Sequence, residues 1–210
     1  TVYLADHEAI RRRVAIKVLT PGDGDNTVAV ERFLREARSA AALNHPNIVR
    51  TYDVGMHGQT HYLVMEYVDG VTLDKLVDQA GPLSTARAVE YIARSAAPAD
   101  QLTAVLDKGA VVGTADYISP EQAMNSPDLD IRSDIYSLGG TFFTLVAGRP
   151  PFKGSTTQKL LHHQMTEAPS LSGVDRTFPV GLSAVVAKML AKLPSQRYQT
   201  PAEVVAALAP

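Results

Sequence analysis

At 210 residues and 45% hydrophobic, the chain is long enough to bury a sizeable core as one domain or as two lobes. Twenty Lys plus Arg against 22 Asp plus Glu leave a formal net charge of -2 and no basic block, so neither nucleic acid nor an anionic membrane surface is favoured as a partner. Cysteine is absent, which excludes disulfides and thiolate metal sites, and the longest apolar stretch, Leu138 to Ala147, is too short to span a bilayer.

The first part of the chain is β-prone. Val2-Tyr3-Leu4-Ala5 and Val14-Ala15-Ile16-Lys17-Val18-Leu19 predict a hairpin, joined by a polar turn containing Arg11, Arg12 and Arg13. After the breaker Pro21-Gly22-Asp23-Gly24-Asp25, Phe33, Leu34, Ala37, Ala40, Ala41 and Leu43 recur at helical spacing until Asn44-His45-Pro46-Asn47. Ile48 to Val54 and Tyr62 to Val68 read as two more strands around the turn Met56-His57-Gly58-Gln59. From Asp69-Gly70 onward the pattern is helical, roughly over 73–80, 84–97, 132–147, 156–166, 181–191 and 201–209. The expected fold class is therefore α+β, with a small β-rich lobe over 1–68 and a helical lobe over 69–210.

Two charged residues stand out on that frame. Lys17 lies on a strand pattern and Glu36 on the helix that follows, so a carboxylate can hold an ammonium against phosphate oxygens. A solvated lysine and an exposed helical glutamate satisfy the same pattern. The wider context separates the two readings.

Val2-Tyr3-Leu4-Ala5, Val14-Ala15-Ile16-Lys17, Phe33-Leu34-Arg35-Glu36-Ala37 and Leu43-Asn44-His45-Pro46-Asn47-Ile48-Val49 resemble the amino-terminal lobe of bacterial (Hanks-type) serine/threonine protein kinases. The resemblance continues in order through Leu63-Val64-Met65-Glu66-Tyr67-Val68, Gly113-Thr114-Ala115-Asp116-Tyr117-Ile118-Ser119-Pro120-Glu121 and Arg132-Ser133-Asp134-Ile135-Tyr136-Ser137-Leu138-Gly139. Gly148-Arg149-Pro150-Pro151-Phe152 and Pro194-Ser195-Gln196-Arg197-Tyr198 complete it. It implies a two-lobe kinase fold, ATP and Mg2+ as cofactors, and proteins bearing Ser or Thr as substrates.

Carried over by position, Lys17 would meet the α/β-phosphates and Glu36 would orient it. Val2 and Ala15 would pack on the adenine, Met65 would be the gatekeeper, and backbone groups of Glu66 and Val68 would bond the adenine edge. Val2 and Met65 also suit plain core packing. Glu121 would pair with Arg197, Gly113 and Thr114 would form the substrate lip, and Asp134 would accept bonds from the catalytic loop. Thr103 falls where related kinases are phosphorylated, and equally suits a solvated loop.

Three departures limit that implication. The chain starts inside the tail of the glycine-rich motif, no His-Arg-Asp loop with its asparagine occurs, and no Asp-Phe-Gly occurs. Asp107-Lys108-Gly109 lies too close to Ser119 to replace the last, and Asp107 reads as a loop residue. A junction near Ile92 and Ala93 would remove the catalytic loop and the metal-binding motif. Helix is nevertheless predicted across it, because Val89, Ile92, Ala93, Ala96 and Ala97 share one apolar face.

The intact parent is thus expected to be a kinase and this chain to be catalytically impaired. A nucleotide- or protein-binding pseudokinase module and a non-functional truncated product are the alternatives. No charged-then-apolar leader begins at Thr1, so a cytoplasmic setting is expected, with any anchor lying outside these residues. Oligomeric state, substrates and upstream signal are not encoded in any recognisable pattern.

Overall fold

The computed structural model describes residues 1–19, 26–96 and 115–209, which form two compact units, Thr1–Gly70 and Val71–Pro210. Each has its own architecture.

The first unit is a four-stranded antiparallel sheet with one helix. Strands β1 (Val2–His7), β2 (Arg12–Val18), β3 (Thr51–His57) and β4 (Thr60–Glu66) lie in the order β1-β2-β4-β3. A short 3-10 turn, Glu8–Ile10, and Arg11 in the left-handed region (φ 49°) connect β1 to β2. Arg12 and Arg13 therefore belong to the strand rather than to the turn. β1 is an edge strand among the described residues, and Val2, Tyr3 and Leu4 are all exposed. Helix α1 (Asn26–Ala41) begins about two turns before Phe33, and its Phe33 and Ala37 pack on Leu63 of β4. β3 starts at Thr51 rather than Ile48, because Ile48 is held in a turn by its amide bond to the His45 carbonyl. The β3–β4 turn is confined to Gly58-Gln59, with Gly58 at φ 61°, a conformation that favours glycine.

The second unit is helical: α2 (Leu73–Ala80), α3 (Thr85–Ala96), α4 (Pro120–Ala123), α5 (Ile131–Ala147), α6 (Thr156–Met165), α7 (Leu171–Val174), α8 (Val180–Met189) and α9 (Pro201–Leu208). α5 is the axis. It is apolar nearly all round, as expected of a helix that other elements enclose, and it buries Ile135, Tyr136, Phe142, Phe143, Leu145 and Val146. Asp130 caps its start by accepting from the Arg132 amide, and Gly148 (φ 70°) ends it.

α3 runs unbroken through Ile92 and Ala93, with Ala88, Ile92 and Ala96 on its buried face. Ala97 lies outside the described residues. The two shortest helices, α4 and α7, carry no periodic signal of their own, yet Ser119 and Ser170 cap them.

Candidate functional site

In the first unit the sheet register gathers the sequence-predicted residues. Val2 stands opposite Lys17, Leu4 opposite Ala15, Ala15 opposite Met65 and Lys17 opposite Leu63. Facing partners in an antiparallel pair share a side, and alternate residues of a strand do too. Val2, Ala15, Lys17 and Met65 therefore occupy one face of the sheet. Leu63, also on that face, is the residue that α1 covers with Phe33 and Ala37. That contact places the helix carrying Glu36 over the end of the face that holds Lys17, while the Glu36 side chain itself lies outside the described residues. Lys17 and Val2 are exposed, and Ala15 and Met65 are half-buried.

The amide of Glu66 is taken by the Arg50 carbonyl at 2.8 Å, and its carboxylate accepts from the Arg50 amide at 3.4 Å. Val68, just past the end of β4, is 62% exposed. It is backbone and surface, with no packing role in this unit.

In the second unit the centre is Arg197. Its guanidinium forms a two-pronged bond to Glu121, 2.7 Å to Oε1 and 2.8 Å to Oε2. It also donates to the carbonyls of Arg132 (2.7 Å), Ala191 (2.8 Å) and Lys192 (2.9 Å). All five donors of an arginine are thereby used. Ser133 Oγ donates to Glu121 Oε1 at 2.6 Å. Burial opposes the Glu121 charge, but the bonds from Arg197 and Ser133 outweigh it and hold the carboxyl below its ordinary range.

Sequence reasoning did not single out the cluster behind that pair. The Arg197 guanidinium lies 4.8 Å from the centre of the Tyr136 ring. Tyr136 Oη is 2.9 Å from His163 Nδ1, and Lys192 Nζ donates to Tyr136 Oη (3.2 Å) and to the carbonyls of His162 (3.3 Å) and His163 (2.9 Å). Burial, and then the charge of Lys192, push the His163 imidazole down to about 4. Burial and then the charge of Arg197 push Lys192 down to about 8. The only prior signal was a histidine pair, His162-His163, within an amphipathic helix, a pattern that surface histidines share.

Asp134 sits in the first turn of α5 without a hydrogen-bond partner among the described residues. Burial, and then the negative charge of Asp130, raise its carboxyl to about 6. The neighbouring Asp130 shows the opposite behaviour, because Arg132 grips it through Nε and Nη2 and lowers it. Thr103, Asp107, Gly113 and Thr114 lie outside the described residues.

The protein kinase domain family matches residues 1–97 and 97–207. This chain belongs to the protein kinase family. Serine/threonine-protein kinase PknB of Mycobacterium tuberculosis is 38% identical over 245 aligned residues, covering 96% of this chain and 39% of PknB. Serine/threonine-protein kinase PrkC of Bacillus subtilis is 34% identical, covering 95% of the chain and 36% of PrkC. The chain thus spans about two fifths of the length of these curated relatives. The crystal structure of the Mycobacterium tuberculosis PknI kinase domain, 25% identical, superposes with a TM-score of 0.82 over 99% of this chain and 88% of that one. The fold is accordingly the two-lobe α+β kinase fold. The alignment to PknB is longer than this 210-residue kinase chain, so PknB carries residues with no counterpart here.

Proposed function

We propose that this chain is the kinase portion of a bacterial serine/threonine protein kinase whose intact form moves the γ-phosphoryl of ATP to Ser or Thr hydroxyls of proteins. In its present form it has lost most of that activity. The observation that carries the reading is the sheet register, which sets Val2, Ala15, Lys17 and Met65 on a single face. An apolar floor beside an ammonium suits a purine with its phosphates, and this is the part of the site that the residues present fit. Glu36 is assigned to orient Lys17, and backbone groups of Glu66 and Val68 to bond the adenine edge.

They do not fit magnesium. Neither Asp-Phe-Gly nor the catalytic-loop asparagine occurs in the sequence, and among the described residues no three His, Asp or Glu side chains converge. Protein kinases use a divalent metal with ATP, so the missing ligands matter. The catalytic aspartate that accepts the hydroxyl proton is missing as well. Phosphoryl transfer is accelerated by positioning and charge stabilisation, and enzymes lower barriers by about 8 kcal/mol or more. Lys17 contributes one charge-assisted contact, about 1.5 to 3 kcal/mol. Among the described residues nothing supplies the remainder.

The missing residues are assigned to a junction near Ile92 and Ala93, within a few residues of where the two family matches meet at 97. The continuity of α3 there, with Ile92 and Ala96 buried, favours a folded binding module over an unfolded product. Lys17→Ala against the unaltered chain tests both parts. Thermal shift with ATP, with and without magnesium, is expected to show magnesium-independent stabilisation that Lys17→Ala removes. Transfer of labelled phosphate from ATP to a protein, lost in Lys17→Ala, would overturn the claim of lost activity.

A further inference from the structure

Within the second unit, helix α6 grips the stretch beginning at Ala115 from one side. Lys159 and His163 lie four residues apart, on the same face of α6. Lys159 Nζ stands 2.6 Å from Asp116 Oδ1, with only 21% and 25% of the two side chains exposed. One turn further on, Gln164 Nε2 donates to the Ala123 carbonyl at 3.0 Å. His163 is fully buried, with its ring against those of Phe152 and Tyr136.

The ring of His163 is aimed from behind. An ammonium can only donate, so Tyr136 Oη accepts from Lys192, and the Tyr136 proton is directed to His163 Nδ1. The remaining ring proton is left on Nε2, which has no bonded partner among the described residues. On the opposite side α5 makes room for the same stretch. A Cβ at Gly140 would stand 3.3 Å from the Tyr117 ring and 3.9 Å from the Asp116 carbonyl.

We propose that Lys159 is a positioning residue that, with the close approach of α5 at Gly140, holds residues 115–117 at one register, and that the Lys192–Tyr136–His163 chain fixes the α6 face from which it does so. This inference rests on the kinase reading only in regarding the held stretch as the support of the substrate lip. The hold itself needs neither nucleotide nor phosphoryl transfer. A failure of the kinase reading would therefore appear in the labelled-phosphate assay and not in the measurement below.

Amide hydrogen exchange of the full chain tests it. Lys159→Met is expected to speed exchange at residues 115–118 roughly five- to tenfold while leaving Phe142 to Val146 of α5 unchanged. Lys159→Asp combined with Asp116→Lys restores the slow rates. Unchanged exchange at 115–118 in Lys159→Met, an equal rise in α5, or failure of the charge-reversed pair to restore the slow rates would each overturn the proposal.

Discussion

The two units differ most in how they are held together. Among the described residues, the helical unit closes around α5 with seventeen buried residues in one contiguous core. Among the described residues of the sheet unit, the cluster beneath the helix is Phe33, Ala37 and Leu63. Buried area scales with size, and a small unit with a thin core has little stability in reserve. The same contrast separates binding from architecture. Residues assigned to nucleotide lie on the thin unit, whereas the bonded charge network lies in the thick one.

The largest expected effect tests the thick unit. Arg197→Leu leaves Glu121 buried without its partner and is expected to cost about 3 to 5 kcal/mol in denaturant unfolding followed by circular dichroism. Phe33→Ala is expected to cost about 3 kcal/mol or more and to abolish protection of β4 while α5 keeps its own. Simultaneous loss in both regions would mean that the units unfold as one.

A smaller test exploits two groups with opposite sign. Asp134 holds its proton more tightly folded than unfolded, so its destabilising effect grows as pH rises from about 4 to about 6 and is full above that. His163 resists protonation in the folded state, so its effect grows as pH falls from 6.5 to about 4. Each amounts to about 3 kcal/mol at its extreme. The two penalties add, but their pH slopes oppose each other, so the pH dependence nearly cancels in the wild-type chain between these limits. Asp134→Asn is expected to raise stability by up to about 3 kcal/mol above pH 6 and to uncover a fall in stability from pH 6.5 to 4. Urea unfolding across that range checks both. At the bottom of the scale, Glu90→Ala removes an exposed pair with Arg94 and should change stability by no more than about 0.5 kcal/mol.

Much of this contrast was legible in the sequence because it is periodic. The α5 pattern and the α2, α3 and α9 patterns sit within a residue or two of their observed bounds. Strand ends were less legible, since Ile48 obeys a turn bond at His45 that β-propensity does not record. The Glu121–Arg197 pair followed from resemblance. Its supports did not, because the carbonyls of Arg132, Ala191 and Lys192 converge only in three dimensions and carry no side-chain signature. His163 was missed for a related reason. Its burial comes from Phe152, whose ring centre lies 4.9 Å away, and from Tyr136, contacts that helix periodicity does not encode.

The exposed first strand has a practical meaning for anyone handling the protein. Among the described residues Val2-Tyr3-Leu4-Ala5 is an uncharged, β-prone edge, and edges of that kind are templates on which chains stack. A lysine in place of Tyr3 should therefore lengthen the time before a concentrated sample of this 210-residue chain turns turbid.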